Sequence, residues 1–472
     1  RLRHTIIFGE RGVIYDRNGE VLVSNTINED KDSFSKRRYP EEKGLSHLLG
    51  YVKYPSKDSA GFYYKSDFEG VQGVEKFFNT QLSGTKGLKI VETDALGDVQ
   101  SESLLEPPVG GENITLSIDK RLNEKLYEYI GELSDRIGFD GGAGALIDIK
   151  TGEILALASF PEYDSEIMTN TNDPKAVQRY SKDSRKPFLN RAIDGLYTPG
   201  SIVKPFLSLA VLNEKLIDPR TEIISTGSIS IQNPYDPTKK SVFTDWKAHG
   251  AVDMRRAIAV SSDVYFYEVG GGFGDQKGLG IEKIEQYMRL FGFGEDSKDS
   301  FFFTKKGTIP NPEWKEKNFE DGMWRIGDTY NTSIGQYGFL ATLMQALRGV
   351  ATIANDGKMA EPTILKRTTG KVDYVREIPF DQSYYDVVKE GMRLSVLEGT
   401  AKGMNLPNIE IAAKTGTAEL GTAKKYVNSW VIGFLPYDKP RVAFATVMEK
   451  GPHDNTIGAL YVMRLPALVR MM

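Results

Sequence analysis

The arrangement in this chain best suited to nucleophilic chemistry is a serine followed three residues later by a lysine. Tyr197-Thr198-Pro199-Gly200-Ser201-Ile202-Val203-Lys204-Pro205-Phe206 reads as a tight Pro-Gly turn running into an apolar helix. The spacing predicts Ser201 and Lys204 on one helical face, one turn apart. A serine hydroxyl attacks a carbonyl only when a neighbouring base takes its proton. A lysine becomes that base when an apolar setting, here Ile202, Val203 and Phe206, or a nearby cation lowers its pKa. The start of the helix also offers free backbone N–H groups where an oxyanion would form. Ser201 is therefore the candidate acyl-accepting nucleophile.

The pattern alone does not single it out. Ser33–Lys36, Ser83–Lys86 and Ser117–Lys120 have the same spacing. The first two lie in polar or turn-like surroundings, and Ser117 or Asp119 reads as a helix cap. Partners must come from elsewhere. Sixty residues on from Ser201 stands Val260-Ser261-Ser262-Asp263-Val264. Ser261 and Asp263 point into one cleft if Ser262 turns away, the serine relaying a proton and the aspartate orienting the network; alone, this is also an ordinary helix start. Ala413-Lys414-Thr415-Gly416-Thr417 is the third piece. On an edge strand, Lys414 would place positive charge beside the nucleophile and Thr415 would offer its hydroxyl to a substrate carboxylate. Gly416 would let the backbone approach closely, and the N–H of Thr417 would complete an oxyanion hole with that of Ser201. Lys150-Thr151-Gly152 repeats the three letters but falls between two strands and reads as a basic hairpin turn.

The elements that must position these residues are legible in outline. Gly12 to Val23 forms two extended runs joined at Asn18-Gly19, a hairpin signal. Asn25 to Lys43 is polar and patternless and reads as loop. Gly70 to Phe78 reads as a short amphipathic helix, Leu88 to Val91 as a strand, and Glu106-Pro107-Pro108-Val109-Gly110-Gly111-Glu112 as a boundary. Beyond it Leu122, Leu126, Ile130 and Leu133 recur at helical spacing. Ala143–Ile149 and Glu153–Ser159 pair as strands. Helices are expected from Ser201 to Leu212, Asp253 to Val260, Val264 to Val269 and Thr342 to Ala354. Ile409–Ala413, Val427–Phe434 and Val442–Met448 are expected strands, and the last 15 or so residues a closing helix. Strands on both sides of a helical middle suggest an α+β domain with helices packed on one antiparallel sheet.

At 472 residues the chain exceeds one ordinary core, and two domains are expected, 1–112 and 113–472. A net charge of −4 with scattered basic residues argues against nucleic acid as a partner. The absence of cysteine excludes disulfides, thiolate metal sites and cysteine nucleophiles. None of the four histidines stands in a zinc-hydrolase or nucleophile-elbow pattern. Gly270 to Gly274 lacks the Lys-Ser/Thr ending of a phosphate loop and reads as a turn. No apolar run approaches the roughly 20 residues needed to span a bilayer.

Taken in this order, the three motifs form the signature of serine β-lactamases and penicillin-binding proteins. The chain resembles the class B penicillin-binding proteins, in their cell-elongation branch, over nearly its whole length. Further stretches that carry the resemblance are Arg11–Gly19, Leu48–Val52, Gly70–Glu75, Thr151–Ala156, Gly327–Gln336 and Trp430–Pro436. It implies a penicillin-binding transpeptidase domain of β-lactamase-like fold behind an elongated, mostly β N-terminal pedestal. It also implies cross-linking of peptidoglycan stem peptides through an acyl-enzyme, covalent inhibition by β-lactams, and no cofactor. By the same resemblance the partners are a SEDS-family membrane glycosyltransferase and elongation-complex proteins. The location is the inner membrane, with an N-terminal anchor upstream of Arg1 and the catalytic domain in the periplasm.

Residue by residue, the resemblance makes Ser201 the nucleophile and Lys204 the base. Ser261 and Asp263 become the relay, Lys414 and Thr415 bind the carboxylate, and Gly416 and Thr417 line the site's third strand. The chain departs from the family at three places. Asp263 replaces the more usual asparagine, as in elongation-type members; Ala413 stands where a glycine usually precedes the lysine; and the segment between Asn25 and Arg38 is short. Some elongation-type relatives bind zinc, for which Asp245, His249 and Asp253 would be the suggestive residues here. A surface loop with one neutral histidine is the reading preferred, and no metal is expected. Two other functions fit the motifs. A β-lactamase would need a base for deacylating water, and no Glu-x-x-x-Asn element is evident. A non-catalytic sensor or scaffold would have no need of Ser201, Lys204 and Lys414 together.

Overall fold

The computed structural model of the chain describes residues 2–28, 34–96, 98–171, 173–233, 236–296, 300–369, 372, 374–421, 423–455 and 457–463. Contacts divide it into two compact units. One takes in the chain up to Glu124 with Pro161–Phe188 and Ile364–Arg367; the other holds the remainder.

The first unit is strand-rich. Leu2–Ile7, Gly87–Thr93 and Val99–Glu106 form an antiparallel sheet with Gly87–Thr93 at its centre. Ile114–Thr115, Ile14–Tyr15, Val21–Thr26 and Lys36–Arg38 form a second sheet in that order. The expected hairpin is present and turns at Asn18-Gly19, with Gly19 at φ 85°. The segment read as loop from Asn25 is not all loop, because Lys36–Arg38 pairs with Ser24–Thr26. What draws this polar strand inward is charge. Glu75, fully buried, lies 2.6 Å from Arg11 Nη2 and 2.8 Å from Arg37 Nε. A buried ion needs such partners, and hydrophobic patterning cannot reveal them. Arg11 and Glu75 come from two of the stretches that carried the family resemblance. Helix Gly73–Phe77 is followed at once by Asn79–Ser83, where the sequence pointed to one short helix.

The second unit is built on five antiparallel strands: β1 (Gly141–Asp148), β2 (Ile154–Phe160), β3 (Ala412–Leu420), β4 (Tyr426–Leu435) and β5 (Val442–Pro452). Their order is β2-β1-β5-β4-β3. All of β1 is buried, as a sheet covered on both faces requires. Asp148 accepts the backbone N–H groups of Lys150 and Thr151, so the second Lys-Thr-Gly is a hairpin turn. The helices that matter here are α1 (Lys120–Ile137), α2 (Lys204–Asn213), α3 (Met254–Val260), α4 (Asp263–Gly271), α5 (Ile326–Ser333), α6 (Leu343–Ala354) and α7 (Gln382–Leu397).

Every residue of α6 is buried, and the helix packs on β1, β4 and β5. Thr342 caps it through the N–H of Gln345, whose side chain returns to the Thr342 N–H. Helix α7, which the apolar pattern did not mark, packs against α2, α3 and β3. Strand β3 begins at Ala412 and runs to Leu420, where the sequence placed a strand ending at Ala413. Pairing with β4 carries it past the point where apolar residues stop. Of the expected closing helix only Leu460–Met463 lies within the described residues. No helix among the described residues is long and apolar enough to cross a membrane.

Candidate active site

The nucleophile candidate sits in a 3-10 turn, not in the α-helix itself. Gly200–Val203 is 3-10 and Lys204 begins α2. The tighter winding eclipses positions three apart, so Ser201 and Lys204 still share a face. Ser201 is half-buried, and its hydroxyl has no hydrogen-bond partner among the described residues. Gly200 is obligatory for two reasons. Its φ is 57°, and a Cβ there would stand 2.9 Å from the carbonyl oxygen of Thr417. Its N–H donates to Gly335 O at 3.0 Å, and Trp430 Nε1 donates to Thr198 O at 3.0 Å. The turn is thus tied to two more of the stretches that carried the resemblance.

Lys204 is fully buried beneath this turn. Its Nζ donates to Asp263 Oδ1 at 2.6 Å and to Ser261 O at 2.9 Å, lies 3.3 Å from Ser261 Oγ, and faces the Phe266 ring at 5.4 Å. Ser261 occupies the left-handed region, φ 60° and ψ 42°, between α3 and α4. Ser262 does turn away: it caps α4 by accepting from Tyr265 N at 3.3 Å. Lys414, likewise fully buried, reaches Ser261 Oγ at 2.9 Å from the other side and donates to Thr415 O at 2.7 Å. One hydroxyl therefore stands between two lysines.

Two ammonium groups on one hydroxyl repel, and burial removes the water that would screen them. Burial, and then the facing Lys204, push Lys414 well below the ordinary lysine range, against a pull from Asp263. Burial also raises the Asp263 carboxyl above its ordinary value, although Lys204 opposes this. Lys204 is thus paired with Asp263, and Lys414 gives up its proton more readily than an ordinary lysine.

Strand β3 is the edge of the sheet, as expected for Lys414–Thr417. A Cβ on Gly416 would meet Ile202 Cγ2 and Pro199 O, each at 2.9 Å, so the strand lies directly on the Ser201 turn. Thr417 is exposed. Thr415 Oγ1 donates to Thr400 Oγ1 at 2.7 Å. Thr400 follows α7 and was missed in the sequence, where nothing sets it apart from any loop threonine. The structure thus joins Lys204, Ser261, Asp263 and Lys414 by direct hydrogen bonds. Thr415 joins it through its backbone carbonyl, which accepts from Lys414, while Ser201 and Thr417 border it.

The other Ser-x-x-Lys matches dissolve into structure. Ser83 Oγ accepts from Arg11, Asp119 accepts from Leu122 N at the start of α1, and Ser33 lies outside the described residues. The loop of Asp245 and His249 lies at the surface, as expected, with Trp246 57% exposed, but these two side chains turn inward and are 2% exposed or less. His249 Nε2 lies 3.4 Å from Asp245 Oδ1, and burial holds the imidazole below its ordinary pKa. Asp253 instead caps α3 through Arg256 N. Among the described residues no group of three or more His, Cys, Asp or Glu converges as a metal site, so these three do not fit a zinc ion.

Known proteins resemble this chain in sequence and in fold. The family model for the penicillin-binding protein transpeptidase domain matches residues 142–460, and that for the penicillin-binding protein dimerisation domain matches 29–116. The peptidoglycan D,D-transpeptidase MrdA of Acinetobacter baumannii is 32% identical over 452 residues, an alignment covering 90% of this chain and 64% of the relative. The Escherichia coli K12 protein of the same name is 29% identical, covering 90% of this chain and 70% of its own. The chain thus spans about two thirds of the curated relatives it matches. Among solved structures, the complex between penicillin-binding protein (PBP2) and MreC from Helicobacter pylori has a TM-score of 0.80 at 27% identity. It covers 100% of this chain and 99% of that one. Pseudomonas aeruginosa PBP2 in complex with WCK 5153 has a TM-score of 0.79 at 28% identity, covering 98% and 95%.

Proposed function

Because the chain belongs to the penicillin-binding protein transpeptidase family, we propose that it is a peptidoglycan D,D-transpeptidase acting through an acyl-enzyme on Ser201. The observation that carries this reading is the bridge Lys204–Ser261–Lys414 directly beneath the Ser201 turn. Relatives bearing the name peptidoglycan D,D-transpeptidase support the stem peptide as substrate.

In this reading the substrate's terminal carboxylate approaches Lys414 and Thr415. A carboxylate there favours the protonated form of Lys414. Lys204 then passes a proton to Ser261 Oγ as Ser261 passes its own to Lys414, which leaves Lys204 neutral. Lys204 takes the Ser201 proton as Ser201 Oγ bonds to the penultimate D-alanine carbonyl. The N–H groups of Ser201 and Thr417 face the oxyanion. Collapse breaks the peptide bond, and the departing D-alanine amine takes its proton back through the same relay. An amine from a second stem peptide reverses these steps and forms the cross-link; a β-lactam stops at the acyl-enzyme.

The division into a pedestal, 1–112, and a transpeptidase domain, 113–472, belongs to the same proposal, supported by the two family models. Solved relatives appear with MreC and in a peptidoglycan synthase complex, which supports elongation proteins and a membrane glycosyltransferase as partners. A periplasmic catalytic domain held to the inner membrane by an anchor belongs to the same proposal. The test is labelling with a fluorescent penicillin. Wild type should form a stable adduct and Ser201→Ala none. No adduct in the wild type would refute the proposal, and rapid release of hydrolysed drug would assign a β-lactamase.

A further inference from the structure

The left-handed turn at Ser261 is the least expected piece of backbone in the site. Ser261 is one of the described non-glycine residues with positive φ, and both lysines meet on its hydroxyl. A residue with a Cβ stays in that region only when its surroundings hold it there. The two hydrogen bonds inside α3's last turn, from Ser261 N to Ile258 O and Ser262 N to Ala257 O, close the helix but do not aim the side chain.

The loop Asp245-Trp246 grips the chain on both sides of Ser261. Downstream, Asp245 Oδ2 accepts from Ser262 Oγ at 2.8 Å and from Val264 N at 3.0 Å. Upstream, Trp246 Nε1 donates to Val260 O at 3.2 Å. Asp245 is itself fixed: Ser225 Oγ donates to Oδ2 at 3.2 Å, and Trp246 N donates to Oδ1 at 2.8 Å. Burial alone would raise this carboxyl, but the N–H groups of Val264 and Asp263, Ser262 and the Lys204 charge outweigh it and hold Asp245 below its ordinary pKa. A charged acceptor at the first turn of α4 also suits that helix's dipole.

We propose that Asp245 is a positioning residue for acylation: its buried carboxylate, with the Trp246 indole, clamps Val260 to Val264 so that Ser261 stays between Lys204 and Lys414. Asp245 touches neither the nucleophile nor the substrate; it acts through Ser262 and the backbone of α4. Its charge also faces the Lys204–Asp263 pair and is one cause of the raised Asp263 carboxyl. Lys247 and His249 on the same loop, Tyr267 on α4 and Lys414 beyond Ser261 are further titratable groups around it. The proposal rests on the reading of Ser201 as the acylated residue.

The experiment measures fluorescent-penicillin acylation of the whole chain, giving the saturating rate and the affinity before acylation across pH. In Asp245→Asn the saturating rate should fall about 10²-fold, the scale of a misplacement of about 1 Å, while the affinity changes less than about threefold. Removing a negative charge lowers the proton affinity of the groups facing it, so the acid limb of the rate should move to lower pH. Asp245→Glu keeps the charge but lengthens the arm; its rate should fall while the limb stays at the wild-type position. Wild-type rate and profile in Asp245→Asn overturn the proposal. So does a slowed rate with an unmoved limb, which makes Asp245 a structural residue only. If Asp245→Asn does not fold, Ser225→Ala decides: a rate lowered about threefold or more, with normal affinity, supports the clamp, and an unchanged rate overturns it. An unlabelled wild type instead refutes the reading of Ser201.

Discussion

At the scale of single residues, the site turns on how two lysines share Ser261. Lys204 has a carboxylate at 2.6 Å, whereas the Nζ of Lys414 donates only to a hydroxyl and a carbonyl. Burial first, and then the Lys204 charge, hold Lys414 well below the ordinary lysine range, so that it releases its proton readily. Lys414→Arg tests it, because a guanidinium does not deprotonate in a protein. Acylation should fall by at least about 10²-fold, a loss of the size found when one stabilising donor is removed from an active site. The melting temperature serves as the control for the larger side chain. A variant that acylates at the wild-type rate would show that neutral Lys414 has no part in the relay. Asp263 shows how one departure from the family pattern works here. A carboxylate balances Lys204, where an asparagine would leave the buried ammonium without a counter-charge.

At the scale of elements, the candidate site is an edge strand lying on a 3-10 turn with almost nothing between them. Gly416 is the point of contact, and Ile202 Cγ2 and Pro199 O leave no room for a side chain. Gly416→Ala should push β3 from the turn, cost about 1–3 kcal/mol of stability as overpacking does, and slow acylation at least tenfold. Thermal unfolding and penicillin labelling measure the two effects. Wild-type stability with wild-type labelling would mean that the strand yields freely. This strand is also where the sequence was hardest to read. Its apolar residues stop at Ala413, and only the register with β4, from Ala412↔Phe434 to Leu420↔Tyr426, shows that it continues. Helix α7 escaped notice for a related reason. Its buried face mixes Val387, Val388 and Met392 with Tyr385, Gly391 and Ser395, which weakens the apolar stripe.

At the scale of the whole molecule, the candidate site lies in one compact unit, while the other is organised around a buried ion cluster. Glu75 holds Arg11 and Arg37 in the first unit, and Arg11 also reaches Ser83 and Asn79. Removing one partner of a buried pair leaves an uncompensated charge and costs about 3–5 kcal/mol. Glu75→Gln should lower the unfolding transition of the first unit by that order. Penicillin labelling of Ser201 in folded protein should be unchanged, since every residue of the candidate site belongs to the second unit. Calorimetry with labelling before the first transition checks both. An unchanged calorimetric trace would mean the cluster contributes nothing net.

The sequence alone determined the types and order of the reactive residues, the α+β class, the hairpins at Asn18-Gly19 and Lys150-Thr151-Gly152, and the helices with clear caps. Each is a local signal: periodicity, turn chemistry, or a motif spaced along the chain. Tertiary structure alone decided that Lys204 and Lys414 converge on one hydroxyl, because their distances from Ser261 along the chain say nothing of distance in space. It also decided that Arg37 and the side chain of Asp245, each in a segment that reads as loop, are buried. A polar residue enters a core only with its partners, and those partners, Glu75 for Arg37 and Ser262 with Val264 for Asp245, are brought to it by the fold.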